Sequence, residues 1–158
     1  METIWNFPIV ASLTAIFIAQ FVKVPIYYLA TRRFDWSLLF STGGMPSSHS
    51  AAVTALATAI AFETGINSPI FALAVIFAII TMFDAKGVRR QAGEQAIVLN
   101  KLVQDFHQFM YDAKHWQEHK KQDKQDKLKE LLGHKPIEVF FGAITGILIA
   151  FILYAIIY

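Results

Sequence analysis

Gly43–Ser50 reads GGMPSSHS and stands directly before an apolar segment of about the length of a membrane span. The stretch predicts a helix that begins at Pro46, because proline lacks the N–H that would be unpaired in a first helical turn. The free N–H groups and the dipole at such a helix end favour a bound anion. His49 adds a group that exchanges a proton near neutral pH. The stretch therefore predicts an anion site, best suited to phosphate, at one end of a membrane helix.

The composition is that of a small membrane protein. Of the 158 residues, 55% are hydrophobic and only 16% are charged, and the mean hydropathy is +0.44. Soluble domains carry roughly 25% charged residues, so the apolar excess indicates a chain that lies in a bilayer. The absence of cysteine from the sequence excludes disulfides, thiolate metal sites and a cysteine nucleophile. The length predicts a single domain over residues 1–158.

Four apolar segments predict four transmembrane helices. They cover about Phe7–Leu29, Ser47–Phe62, Pro69–Phe83 and Pro136–Tyr158. A spanning helix needs about 20 residues, so the first and fourth segments qualify by length alone. The second and third need their flanks or the support of a bundle, and the polar turn Glu63–Ser68 joins them into a helical hairpin.

The distribution of basic residues predicts how the spans are oriented. All 14 Lys and Arg residues lie at or beside two regions, residues 23–33 and residues 86–135. With four spans, both regions lie on the same side of the membrane. The positive-inside rule places that side in the cytoplasm and both termini outside. The sequence therefore predicts an all-α integral membrane bundle of the plasma (inner) membrane, with its candidate site on the cytoplasmic face.

The polar segment between the third and fourth spans, residues 84–133, predicts a cytoplasmic helical insertion. Its charge-rich stretch His115–Glu130 is typical of a solvated helical surface. An apolar stripe recurs at helical spacing at Phe106, Phe109, Met110, Ala113 and Trp116. This stripe predicts contact with the membrane interface or with another subunit.

Two other functions for this segment are disfavoured by its residue pattern. His115 and His119 are four residues apart, but they lack the HExxH order and an obvious third ligand, so we expect no metal site. The basic residues are interleaved with acidic ones rather than forming a patch, so we expect no nucleic-acid partner.

A second informative stretch, GHKPIEV, begins at Gly133. Pro136 again opens an apolar helix, His134 precedes it, and Glu138 follows His134 by four residues. If the chain turns helical there, the carboxylate reaches the imidazole, where it would fix the tautomer and stabilise the cationic form. The alternative is a capped membrane helix with an incidental histidine.

The four-span arrangement brings these two helix starts to one surface. Basic residues from the ends of other spans emerge on the same side: Lys23, Arg32, Arg33, Arg89 and Arg90. Lys23 shares a helix face with Gln20 and Tyr27. A lysine in an apolar helix usually faces the bundle interior or a polar site, and snorkelling to the interface is the alternative.

The two histidine motifs resemble those of the type 2 phosphatidic acid phosphatases. PSSH at Pro46–His49 is similar to that family's Pro-Ser-Gly-His motif, and HxxxEVxxGxxxG at His134–Gly146 is similar to the end of its third motif. With GGMPSSHSA, DAKGVRRQAG and LGHKPIEV, the chain most resembles the divergent membrane branch of that superfamily, which includes acid phosphatases and vanadium-dependent haloperoxidases. The resemblance covers nearly the whole chain.

The resemblance implies a role for each matching residue. His134 would be the nucleophile that forms a phosphohistidine, Glu138 would orient it, and His49 would protonate the leaving alcohol. Other residues would hold the substrate phosphate: Lys23, Gly44, Ser47, Ser48, Arg89 and Arg90, with Arg32 and Arg33 as a second arginine pair. No metal or other cofactor is implied.

The chain departs from the family pattern at three places. Ser48 replaces the glycine of Pro-Ser-Gly-His, and Ala30 stands where the first motif has its Arg-Pro. In the family's third motif Ser-Arg lies just before the histidine, but here Arg90 lies 44 residues before His134. An insertion of about residues 91–132 inside the motif accounts for this spacing.

We therefore expect metal-independent hydrolysis of a phosphate monoester or diphosphate on a membrane lipid or isoprenoid. A second copy would help so small a bundle to close its site, so we expect a homodimer. One alternative is a non-catalytic protein of the same fold that binds or transports phospholipid head groups. Another is a structural membrane protein without a ligand. A haloperoxidase is the weakest reading, because no sequence feature indicates an oxidant or halide pocket.

Overall fold

A computed structural model of the protein describes residues 6–41, 43–114 and 133–158, which form helices and their connections. The α-helices are α1 (Phe7–Thr31), α2 (Ser48–Thr64), α3 (Pro69–Lys86), α4 (Val88–Lys114) and α5 (Pro136–Ile157), with a short 3₁₀ helix at Trp36–Phe40. Four of these helices, α1, α2, α3 and α5, match the four apolar segments. The prediction of an all-α membrane bundle is confirmed.

The two proline-containing helix starts differ in detail. Pro136 is the first residue of α5, as predicted. The prediction that α2 begins at Pro46 is wrong by two residues, since Ser47 is the N-cap and accepts the Ser50 N–H at 3.3 Å. Pro46 lies before this cap, after a cis peptide bond. The serine oxygen accepts a hydrogen bond from an N–H of the first turn, whereas a proline only lacks an N–H of its own. The serine hydrogen bond therefore sets the helix start.

The α2 helix lies at the centre of the bundle and packs on α1, α3 and α5. Its contact with α1 is made by alanines at four-residue spacing on both helices: Ala11, Ala15 and Ala19 on α1, and Ala51, Ala55 and Ala59 on α2. Residues at this spacing share one helix face. Small side chains on both faces let the two backbones approach closely.

The contact between α2 and α5 is closer still, because α5 presents glycine to its neighbour. A β-carbon at Gly146 would overlap the Ala51 carbonyl oxygen and the Thr54 hydroxyl. A β-carbon at Gly142 would overlap the Ser47 carbonyl oxygen. The two helices therefore meet backbone to backbone along the first half of each.

Three runs of helix in the described part of the chain are long and apolar enough to span a membrane. They are α1, the α3–α4 run Pro69–Tyr111, and α5. At 17 residues, α2 is about 25 Å long, which is shorter than the hydrocarbon core of about 30 Å. Its neighbours surround it, while α1, α3 and α5 expose large apolar side chains such as Phe17, Ile80 and Ile152. This is the arrangement of an integral membrane protein.

The described part of the predicted insertion is helical. α4 follows α3 after Gly87 alone and runs to Lys114. The apolar side chains of the predicted stripe are exposed at Phe106, Phe109 and Met110. Their contact with the membrane interface or with another subunit stays a prediction. Trp116 and the His115/His119 pair lie outside the described residues.

Local side-chain contacts order the connection that follows α1. The rings of Tyr28 and Phe34 stack with centroids 4.2 Å apart. The carboxylate of Asp35 accepts the N–H of Ser37 at 2.9 Å and also its hydroxyl. These hydrogen bonds hold the pKa of Asp35 below its usual value. The connection leads from α1 to Ser41, next to the candidate site.

Replacing Gly146 by alanine should destabilise the bundle, although alanine is intrinsically favoured over glycine in a helix by about 1 kcal/mol. The added methyl group meets a backbone carbonyl that no rotamer change can move, and such overpacking costs roughly 1–3 kcal/mol or more. Thermal unfolding of the purified protein in detergent should therefore show a lower Tm. Ala155→Leu adds more volume at an exposed position of the same helix and should leave Tm nearly unchanged. An unchanged Tm for Gly146→Ala would contradict the close α2–α5 contact.

Candidate active site

His134 lies two residues before the start of α5, and its residue surface is only 1% exposed. Its Nδ1 lies 3.1 Å from Oε2 of Glu138 in the first turn of α5. The same carboxylate oxygen accepts the N–H of Lys135 at 3.1 Å. Because a carboxylate accepts a hydrogen bond, this contact assigns a proton to Nδ1. In the neutral ring the lone pair is then on Nε2.

The Nε2 atom of His134 is buried and has no hydrogen-bond partner among the described residues. Leaving a buried polar atom unpaired costs about 1–3 kcal/mol, so such an atom in a folded protein calls for an explanation. The ring of His49 lies across from His134, with the ring centroids 6.2 Å apart and the planes inclined by 61°. The structure therefore brings together the two histidines that the sequence places 85 positions apart.

Two backbone hydrogen bonds fix this arrangement. The N–H of Ser47 donates to the carbonyl oxygen of Glu138 at 3.0 Å, which ties the start of α2 to the start of α5. The N–H of His134 donates to the carbonyl oxygen of Ala85 near the end of α3, also at 3.0 Å. Three helix ends therefore hold the two imidazole rings in place.

Lys23 contributes a buried positive charge from α1. Its residue surface is 2% exposed, and its Nζ donates to the carbonyl oxygen of Ser41 at 3.3 Å. Its side chain passes Gly44, where a β-carbon would lie 3.7 Å from Cδ of Lys23. Gly44 has a φ of +89°, a conformation that favours glycine. Lys23 therefore lies inside the bundle rather than snorkelling to the interface.

The serines of the PSSH motif are buried at the start of α2. The hydroxyl of Ser47 is already engaged, because it accepts both the N–H and the hydroxyl of Ser50, at 3.3 and 3.1 Å. Ser48 is the first residue of the helix, and by that position its N–H has no acceptor within the helix. Because the Ser47 oxygen acts only as an acceptor in these two bonds, its own O–H proton can still be donated to an anion, as can the N–H of Ser48.

The structure does not bring the described arginine side chains into this cluster. Arg32 ends α1 in a left-handed conformation, and both it and Arg33 are exposed. Arg90 is exposed and pairs with Glu94 at 2.9 Å. Arg89 lies in the first turn of α4, and its side chain is outside what the structure describes.

The sequence analysis did not single out three residues that shape the site: Ser41, Ser50 and Ala85. Ser50 could have been recognised, because it lies three residues after the capping Ser47, the position at which a capping box places a polar side chain. Ser41 and Ala85 contribute carbonyl oxygens, which no side-chain pattern reveals. Within residues 6–41, 43–114 and 133–158, no three histidine or carboxylate side chains cluster as metal ligands.

Comparison with known proteins gives two matches. A family model described as "Divergent PAP2 family" matches residues 4–149. The membrane protein YuiD of Bacillus subtilis (strain 168), whose own name calls it uncharacterized, is 61% identical over 153 residues, which is 97% of either chain. No solved structure matches the chain significantly.

Removing the carboxylate of Glu138 should leave the Nδ1 of His134 and the N–H of Lys135 without their shared acceptor. Lys135 is exposed, but His134 is buried. A buried group left unpaired costs about 1–3 kcal/mol, so Glu138→Ala should lower Tm clearly in a thermal unfolding measurement. Glu138→Gln keeps one oxygen acceptor and should lower Tm less. Glu94→Ala removes an exposed ion pair worth about 0–1 kcal/mol and serves as the control. Equal Tm values for the Ala variants of Glu138 and Glu94 would contradict this account.

Proposed function

Because this chain belongs to the divergent PAP2 family, a branch of the phosphatase-related superfamily, we propose that it is a metal-independent lipid phosphatase. The reaction is hydrolysis of a phosphate monoester or diphosphate on a membrane lipid or isoprenoid, through a phosphohistidine. One observation carries the proposal: His134 is buried beside His49, with its Nδ1 on a carboxylate and its Nε2 unpartnered.

In the first step, Nε2 of His134 attacks the phosphorus atom. Its lone pair forms the N–P bond while the P–O bond to the leaving group breaks and its electron pair stays on the leaving oxygen. Glu138 keeps the proton on Nδ1 and stabilises the positive charge that develops on the ring. The proton of His49 passes to the leaving oxygen, so that an alcohol or a phosphate departs.

In the second step, a water molecule attacks the phosphohistidine. The water oxygen bonds to phosphorus, the N–P bond breaks, and Nε2 of His134 recovers its lone pair. His49 now acts as the base and takes a proton from the water. Inorganic phosphate leaves, and both histidines return to their starting protonation states.

Positive charge around the phosphate would supply most of the remaining transition-state stabilisation, because phosphoryl transfer depends on positioning and charge stabilisation. The ammonium group of Lys23 and the first turn of α2 at Ser48 supply this field from inside the bundle. We assign a second, outer clamp to the arginines at the ends of α1 and α4: Arg32, Arg33, Arg89 and Arg90. Substrate phosphate would compete with Glu94 for Arg90, since both offer oxygen atoms to a guanidinium group.

The position of the site in the membrane motivates the choice of substrate. The histidines lie at the starts of α2 and α5. With four spans these starts are on the same side of the membrane as the basic residues, and the positive-inside rule assigns that side to the cytoplasm. The proposed substrate is therefore a phosphorylated lipid or isoprenoid in the cytoplasmic leaflet of the plasma membrane. A homodimer, in which a second copy completes the wall of the site, is part of the same proposal.

The direct test is phosphate release by the purified protein in detergent with EDTA present. The substrates are phosphatidic acid, phosphatidylglycerol phosphate and isoprenoid diphosphates. We expect His134→Ala to lose about 10³-fold or more in kcat/KM, as is usual when a nucleophile is removed. His107→Ala, an exposed histidine on α4, is the matched control and should keep full activity. No release from any substrate, with lipid binding unchanged in His134→Ala, would instead favour the head-group binder.

The role of His49 predicts a dependence on the leaving group. General acid catalysis contributes about 10²–10⁴-fold, so His49→Ala should lose activity of that order on phosphatidic acid, whose alkoxide needs a proton to depart. Nitrophenyl phosphate has a leaving group that departs without a proton, so the loss of activity of His49→Ala on this substrate should be much smaller. Steady-state kinetics of the variant on both substrates measures this ratio. Equal losses on the two substrates would contradict the acid role of His49.

A further inference from the structure

An open groove of about 450 Å³ lies between α2, α3 and α5. Its walls combine small residues on α2 with larger apolar residues on the other two helices: Ala57, Ala61, Phe71, Val75, Ile147 and Phe151. The small side chains of α2 give the groove its width, and its lining is almost wholly apolar.

The groove offers no unused hydroxyl group to a ligand. Its lining contains two threonines, Thr54 and Thr58. The hydroxyl of Thr54 donates to the carbonyl oxygen of Ser50 at 2.8 Å. The hydroxyl of Thr58 donates to the carbonyl oxygen of Thr54 at 2.7 Å. Because both hydroxyls are engaged with backbone oxygens, the groove presents an apolar surface and suits a hydrocarbon occupant.

One end of the groove adjoins the candidate active site. Met82, which lines the groove, lies three residues before Ala85, whose carbonyl oxygen accepts the N–H of His134. Three residues of helix correspond to about 5 Å. From Met82 the groove follows α3 for 11 residues to Phe71, which is about 16 Å. This length is close to half of the hydrocarbon core, which is about 30 Å thick.

We propose that this groove holds the hydrocarbon tail of the lipid whose phosphate group reaches His134, an inference that rests on the proposed function. Apart from Ile66 in the turn between α2 and α3, the lining residues belong to helices within the membrane, so the material that reaches the groove is hydrocarbon. A straight acyl or prenyl chain matches both its apolar lining and its length. A tail seated there fixes the direction from which the head group enters the space between His49 and His134.

The groove acts through orientation rather than through a hydrophobic driving force. Lipid tails are as apolar as the groove, so transfer from the bilayer contributes little free energy. Holding the tail in one place aligns the phosphorus atom with the nucleophile, and misplacement by about 1 Å can cost as much as 10²-fold in rate. The inference therefore predicts a preference for substrates with long tails.

Photo-crosslinking tests occupancy without requiring turnover. The probe is phosphatidic acid with a diazirine near the end of one acyl chain, incubated in detergent with the protein and irradiated, and the labelled peptides are mapped by mass spectrometry. We expect label on groove residues such as Phe71, Val75 or Phe151. Label confined to the outward face of α3, at Leu73 or Ile80, would overturn the inference.

Kinetics with tails of two lengths test the consequence. Val75→Trp fills the groove and should lower kcat/KM for dipalmitoyl phosphatidic acid by about tenfold or more, while leaving that for dihexanoyl phosphatidic acid unchanged. Leu73→Trp places the same side chain on the exposed face of α3 and should change neither. Ile79→Trp, at a half-exposed groove position, serves as a second variant if Val75→Trp does not fold.

The outcomes separate this inference from the proposed function. Equal losses on the long and short lipids in both groove variants would overturn the groove assignment and leave the phosphatase proposal standing. If the wild-type protein releases phosphate from neither lipid, nor from phosphatidylglycerol phosphate or an isoprenoid diphosphate, the phosphatase proposal fails. The crosslinking pattern then still decides whether the groove holds a lipid tail.

Discussion

The backbone contact between α2 and α5 is the constraint on which the rest of the structure depends. Gly142 and Gly146 leave no room for a β-carbon against α2, so the two helices start side by side. This proximity allows the N–H of Ser47 to reach the carbonyl oxygen of Glu138, and it brings the His49 and His134 rings face to edge. In a bilayer, where apolar surface alone does not draw helices together, such close packing is a main source of association.

The same contact explains how polar side chains are accommodated inside a membrane protein. His134, Glu138 and Lys23 would each be costly to bury alone. The imidazole and the carboxylate pair with each other, and the ammonium group of Lys23 reaches a backbone oxygen. Two buried side-chain atoms are left without a hydrogen-bond partner in the described structure, Oε1 of Gln20 and Nε2 of His134. In the His134–Glu138 pair, the unpartnered atom is therefore the one from which the proposed chemistry starts.

Much of the fold followed from the sequence, because apolar segments, turns and caps act locally. The bounds of α1, α3 and α5 agree with the apolar segments to within three residues, and Glu138 meets His134 as their four-residue spacing predicted. The start of α2 was harder to predict, since Ser47 and Pro46 are both residue types that favour the start of a helix. The carbonyl oxygens of Ser41 and Ala85 could not be predicted, because backbone contacts between distant segments leave no side-chain signature. The positions of the arginine side chains could not be predicted either, since exposed side chains are positioned by their partners rather than by the fold.

The most direct test of the central claim is to trap the phosphorylated enzyme and locate the phosphate. Protein mixed with phosphatidic acid that carries a radiolabelled phosphate is quenched in alkali, in which phosphohistidine is stable, then digested and mapped by mass spectrometry. The account predicts label on Nε2 of His134, and none at that position in His134→Ala. Phosphate release without any label on His134, or label that persists elsewhere in His134→Ala at the wild-type level, would contradict it.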